Sequence, residues 1–207
     1  VAYTEEQSEE LAYGALLVML GEGPLADDFD LGVERIAVIG PNGKPAGKAV
    51  ALAAAPDSRD GARTSFQLFD ETHRQHSDRL LHAHETMLAN VPKRKAADAW
   101  TLEVTTAYEP GKGSIAERTH EYAKLVRDGK VDDRLLFYYH REAGDHHDLS
   151  TREGMEAAVL EASGPAAAYT DVDYIVSLGL DPQVDRRYWE RVWLNRVVAS
   201  SRQFFPI

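Results

Sequence analysis

Ser65-Phe66-Gln67-Leu68-Phe69-Asp70-Glu71-Thr72-His73 is the stretch on which the reading of the fold turns. Four mostly apolar residues run straight into two adjacent carboxylates. The polar Asp60-Gly61-Ala62-Arg63-Thr64 bounds the run upstream, so it reads as a buried strand. In open α/β sheets ligands bind outside the carboxyl ends of the strands, which is where Asp70 and Glu71 fall. Two anionic groups at that place suit a hard cation such as Mg²⁺ and a water that needs a hydrogen-bond acceptor. The plainer alternative is a strand end carrying two solvated acids.

The 207 residues suffice for one α/β domain, or a domain with a small appendage, and for a sizeable core. A formal net charge of −11 disfavours binding nucleic acid through bulk charge, while leaving room for a local basic groove. The chain has no cysteine, which excludes disulfides and thiolate metal sites. No apolar run is long enough to span a bilayer and no signal peptide is visible, so no membrane partner is expected. The chain starts at Val1 without Met, no strand precedes its first helix, and it stops at Phe204-Phe205-Pro206-Ile207. It reads as a piece of a longer protein.

Thr4-Glu5-Glu6-Gln7 has capping-box spacing ahead of a helix through Leu11, Ala15 and Val18 that ends near Gly21. Residues 34–39 and 49–54 read as two strands around the turn Gly40-Pro41-Asn42-Gly43. After the central strand, Leu80, Leu81, His84, Met87, Leu88 and Val91 make one helix face, with Ser77 as cap. Lys93-Arg94-Lys95 follows it, placed either to offset the helix dipole or to touch phosphate. Residues 100–107 alternate and are β-branched, predicting a strand that ends in Thr105 and Thr106. Ser114-Ile115-Ala116-Glu117 opens a helix to about residue 128, and residues 134–140 read as a further strand. Ser150-Thr151-Arg152-Glu153 caps a helix to about Ala162, and Asp181-Pro182 opens the last one. Strands alternating with helices predict an α/β fold with a mostly parallel sheet covered on both faces, plus a C-terminal helical subdomain. The expected division is 1–148 and 149–207.

In their order and spacing, these elements resemble the ATPase domain of a tailed-phage terminase large subunit. Residues 4–7 resemble the start of the helix after the nucleotide-binding segment. Ala53-Ala54-Ala55-Pro56-Asp57-Ser58-Arg59-Asp60-Gly61 resembles the polar loop before Walker B, and residues 66–73 resemble Walker B itself. Thr105-Thr106-Ala107 resembles the coupling motif. Arg187-Tyr188-Trp189 with Leu194-Asn195-Arg196 resembles the helix that closes the region. The resemblance implies a P-loop ATPase fold in which Asp70 orders Mg²⁺ through water, Glu71 is the catalytic base, and Thr105 and Thr106 sense the γ-phosphate of ATP. Arg59 or Arg63 is the candidate trans-acting arginine; the alternative is a solvated loop residue. The implied partners are double-stranded DNA, a portal, a small terminase subunit and further copies in a ring, in the host cytoplasm. A glycine-rich loop ending in Lys-Ser or Lys-Thr is absent, and Gly40-Pro41-Asn42-Gly43-Lys44 lacks its spacing. That loop is expected before Val1 and a nuclease domain after Ile207, so the piece alone is expected to be nearly inactive.

Two other functions stay open on the residues alone. His140, Asp145, His146, His147 and Asp148 offer imidazole and carboxylate, the donors of a metal-dependent hydrolase. Without a phosphate loop the chain also fits a non-catalytic docking module.

Overall fold

The computed structural model describes residues 12–52 and 63–199. The expected cap at Thr4 and the loop carrying Arg59 lie outside the described residues. The architecture is α/β, with helices and two small sheets. The chain divides into two compact units, one up to Thr105 and one from Thr106, so the expected boundary at residue 148 falls inside the second. No described helix is long and apolar enough to cross a membrane.

In the first unit, helix α1 (Gly14–Gly21) leads to strands β1 (Phe29–Leu31), β2 (Ile36–Ile39) and β3 (Pro45–Ala49). They form an antiparallel sheet in the order β1-β2-β3. The expected hairpin is present, but its second strand begins four residues earlier than residue 49. Gly43, at φ 70°, closes a tight turn in which Gly40 N donates to Lys44 O at 2.8 Å. Pairing therefore resumes at once.

Strand β4 (Phe66–Asp70) pairs in parallel with β5 (Trp100–Val104), Phe66 opposite Trp100 and Asp70 opposite Val104. Helix α2 (Asp78–Leu88) lies on the connection between them. Val91 falls beyond this helix, at the start of a tighter turn over Val91–Ala97 whose second residue is Pro92. Gln67 and Phe69 are the buried residues of β4. The Gln67 amide donates to Met87 O at the end of α2 (2.8 Å) and to Thr64 Oγ1 (2.7 Å). The Phe69 ring meets the His84 imidazole edge-on at 4.6 Å, and His84 Nε2 is 2.8 Å from Glu103 Oε1 on β5. One strand thus holds both its crossover helix and its neighbour. Among the described residues the parallel sheet has these two strands, and a larger sheet is not seen.

The second unit is helical. Helix α3 (Ile115–Arg127) is capped by Ser114, whose hydroxyl accepts from Glu117 N at 3.2 Å. The Glu117 carboxylate takes the N–H groups of Gly111 and Gly113, both at 2.6 Å. Residues 134–140 form no strand, contrary to the sequence pattern. Leu135 and Phe137 are almost fully exposed, and no described strand pairs with the segment. Thr151 caps α4 (Arg152–Ser163) and Asp171 caps α5 (Val172–Leu180), a helix the pattern did not single out. The last helix, α6 (Arg186–Trp193), starts at the cap Asp185 and not at Asp181. Asp181 instead accepts from Gln183 N at 2.8 Å, a local turn that competes with helix initiation.

Trp189 anchors this unit. It is 1 % exposed, packed with Met155, Ala158, Val159, Ile175, Val176 and Leu194, and its indole N–H donates to Ile175 O at 2.8 Å. A Cβ at Gly179 would stand 2.7 Å from the indole, so only glycine lets α5 approach it. The Arg186 guanidinium covers the ring at 4.9 Å from its centroid. Trp189→Ala is expected to cost roughly 3–5 kcal/mol of stability. Tyr188→Ala, at a half-exposed neighbour, should cost less than about 1 kcal/mol. Urea unfolding followed by circular dichroism measures both; equal losses would deny Trp189 that role.

Candidate active site

The parallel register places the carboxyl ends of β4 and β5 side by side. Asp70 is the last residue of β4, and its Oδ1 accepts from the Glu71 N–H at 2.8 Å. Glu71 then takes a left-handed conformation, φ 53° and ψ 42°, which a residue with a long side chain seldom adopts. This reversal turns the chain sharply into the short helical turn Thr72–Arg74. Gln75, almost fully buried, fastens the turn by donating from Nε2 to Asp70 O at 2.7 Å. Thr72 is fully buried, and its hydroxyl has no hydrogen-bond partner among the described residues. Strain and an unsatisfied hydroxyl in one turn are features that cluster at functional sites.

A side-chain relay joins the two strand ends. Thr105 Oγ1, just past β5, accepts from His73 N at 3.0 Å and lies 2.9 Å from His73 Nδ1. The His73 ring thus lies between the hydroxyl and the acid, its Nε2 3.7 Å from Glu71 Oε2. Arg74 Nε reaches the same carboxylate oxygen at 3.1 Å. Burial pushes the Glu71 carboxyl above its ordinary pKa of 4.5; Arg74 pulls it down and Asp70 adds to the rise. An acid held short of full comfort as an anion, in contact with an imidazole, is equipped to accept a proton.

Asp70, Glu71 and Thr105 are therefore together. Thr106 opens the second unit, and Arg59 lies outside the described residues. Arg63 stands before β4 begins, at the amino edge of the pair and away from Asp70. With Lys93, Arg94, Lys95, Ala96 and Ala97 it lines a concavity of about 710 Å³. Spacing had left His73 without a role, and Arg74 and Gln75 were not singled out. His73 acquires its role from a hydroxyl 32 residues away, beyond the reach of any local motif. Its place at the end of residues 66–73, the run that resembles Walker B, was the one sign of it in the sequence.

The proposed histidine cluster does not hold together as drawn. His140 sits among aromatic rings, 5.3 Å from His120 and 6.5 Å from Tyr138 between centroids. Its Nε2 is 3.2 Å from a Glu142 oxygen but outside hydrogen-bond geometry. Asp148 is spent on Ser150, accepting from its N–H at 3.0 Å and its hydroxyl at 2.6 Å. His146 and His147 gather instead with Glu161, a residue of α4 that the sequence pattern did not single out.

The chain matches no protein-family model, no curated protein and no solved structure.

The raised pKa of Glu71 has a stability consequence. A carboxyl whose folded pKa exceeds its unfolded one favours the fold at low pH, and this contribution is lost as pH rises through the folded value. Ionised Glu71 is thus a burden at neutral pH. Glu71→Gln should gain stability relative to the parent protein between about pH 4 and pH 7. Chemical denaturation across that range checks the sign; a gap that narrows with rising pH would contradict it.

Proposed function

We propose that this chain is part of a DNA-packaging motor ATPase, of the kind found in tailed-phage terminase large subunits. The observation that carries the reading is the meeting of Asp70, Glu71 and Thr105 at one carboxyl edge of a parallel strand pair, with His73 linking hydroxyl to acid. That edge is where P-loop folds act on nucleotide. Asp70, Glu71 and Thr105 offer oxygen donors, the kind that Mg²⁺ takes. When bound, Mg²⁺ neutralises charge on the phosphates of ATP.

In this reading Asp70 would be the carboxylate that holds Mg²⁺, through water. Glu71 takes the proton of the attacking water, and the burial that raises its pKa makes it a better proton acceptor than a solvated carboxylate. Thr105 senses the state of the γ-phosphate and passes a change to Glu71 through His73, while Thr106 continues the signal into the second unit. Arg63, on the far edge of the pair, serves a neighbouring subunit if it serves any nucleotide. The chain contains no glycine-rich Lys-Ser/Thr loop, so the phosphate cradle comes from another segment. Segment 134–140, which has no strand partner among the described residues, has the pattern of a strand whose neighbour would come from that same segment. Duplex DNA, a portal, a small subunit and a homo-oligomeric ring are the partners such a motor requires, and the host cytoplasm is its place of work.

Two measurements test this. With the cradle segment joined, Glu71→Gln should keep Mg-ATP binding and lose hydrolysis by roughly two or more orders of magnitude. Asp70→Ala should also weaken Mg²⁺-dependent binding; wild-type turnover in Glu71→Gln would remove Glu71 as the base. The 207 residues alone, titrated calorimetrically with a non-hydrolysable ATP analogue and Mg²⁺, should bind only weakly. One-to-one micromolar binding would mean that the cradle lies within this chain.

A further inference from the structure

The second unit holds a group of donors unrelated to the proposed ATPase edge. His147 Nε2 lies 2.5 Å from Glu161 Oε2, and His146 Nε2 lies 4.0 Å from the same oxygen. The two imidazoles are 4.0 Å apart between centroids. One ligand atom from each of the three residues falls within 4.8 Å of the others.

Adjacent histidines usually diverge. Here Gly144 lets them converge, since a Cβ at that position would come within 2.5 Å of the His146 ring. Gly144 also donates its N–H to Glu161 Oε2 at 3.0 Å, which aims the carboxylate and lowers its pKa. The loop itself is pinned. Arg196 donates to the carbonyls of Ala143 and Gly144, Asn195 donates to Arg141 O at 2.7 Å, and Arg141 donates to Glu161 O at 3.1 Å. The Arg196 charge is itself engaged by Glu190 at 3.4 Å and by Asp145 at 3.8 Å.

A hydrogen bond to Glu161 accounts for the placing of His147, but His146 Nε2, at 4.0 Å from the same oxygen, is too far to share it. A divalent cation between the two imidazoles and the carboxylate would engage all three donors. We propose that His146, His147 and Glu161 bind a zinc-class divalent transition ion, which staples the 144–148 loop to α4. The nitrogen-rich donor set favours such an ion over Mg²⁺. Zinc bonds of about 2.0–2.1 Å require donors roughly 3.3 Å apart. His147 and Glu161 must open slightly, and His146, 70 % exposed, is free to swing in. A fourth position stays open to water.

The test is calorimetric titration of the whole chain with zinc chloride, and with magnesium chloride for contrast, together with melting curves. Zinc should bind one-to-one at micromolar or tighter affinity and raise the melting temperature, and magnesium should do neither. Glu161→Gln, His147→Ala and His146→Ala should each weaken zinc binding by more than about tenfold, the least a lost ligand should cost. His146→Ala removes an exposed ring, so its effect cannot be ascribed to misfolding. His140→Ala and Asp70→Ala should leave zinc affinity unchanged, which separates this site from the ATPase edge. No binding at 100 μM zinc, or undiminished affinity in His146→Ala and Glu161→Gln, overturns the proposal.

Discussion

The parallel ladder between Phe66–Asp70 and Trp100–Val104 is the constraint from which the rest of the first unit follows. Antiparallel strands put their carboxyl ends at opposite edges; parallel strands put them at the same one. Two elements separated by some thirty residues of sequence are thereby made to deliver an acid pair and a hydroxyl to one place. A two-stranded parallel sheet is a weak object by itself, because its outer edges have no ladder partners. Here it is held by side chains. Gln67 spends its amide on the end of α2 and on Thr64, and the Phe69–His84–Glu103 contact ties strand, helix and strand together. A buried glutamine is costly unless its polar atoms are matched, and Thr101 Oγ1 supplies a further contact to its carbonyl at 3.4 Å. The polar residue in the middle of the apolar run is therefore what fixes where the crossover helix ends.

The second unit rests on a different device. Its core is an indole that α6 wedges against α4 and α5, and the long irregular segment before α4 is fastened to the residues after α6 by backbone and side-chain contacts. Ala143 N donates to Leu194 O at 3.0 Å, and Arg196 and Asn195 bind carbonyls of residues 141–144. Asn195 reaches its partner from a left-handed conformation, φ 52°, which asparagine tolerates better than most residues. Convergence of His146, His147 and Glu161 depends on that fastening.

Much of this was legible in the residues. Local signals were read well: the apolar run into Asp70-Glu71, the β-branched run from Trp100, the Ser114 cap and the hairpin turn all reappear, although the Glu117 carboxylate turns to Gly111 and Gly113 and not back to Ser114. The failures have physical causes. The alternation over residues 134–140 resembles a strand, yet a strand exists only with a partner, and none is present among the described residues. Asp181-Pro182 carries a helix-start signal that is satisfied by a turn to Gln183, and Asp185, four residues on, does the capping. The helix from Val172 was announced by Asp171 and went unread. The candidate site was legible in its acids and its threonine but not in its wiring. His73, Arg74 and Gln75 matter through contacts that form only when the chain folds back at Glu71, and Glu161 meets His146 and His147 only across a helix.

The turn at residues 71–72 carries a local debt: a left-handed glutamate beside a buried threonine hydroxyl with no hydrogen-bond partner among the described residues. Glycine or asparagine would sit at position 71 with less strain, and valine would fill the Thr72 site without an orphan oxygen. A laboratory selection for heat resistance alone would therefore drift toward those residues and erase the acid in the process. Libraries screened for stability and libraries screened for turnover should part company at these two codons, and that divergence would mark the site without any ligand in hand.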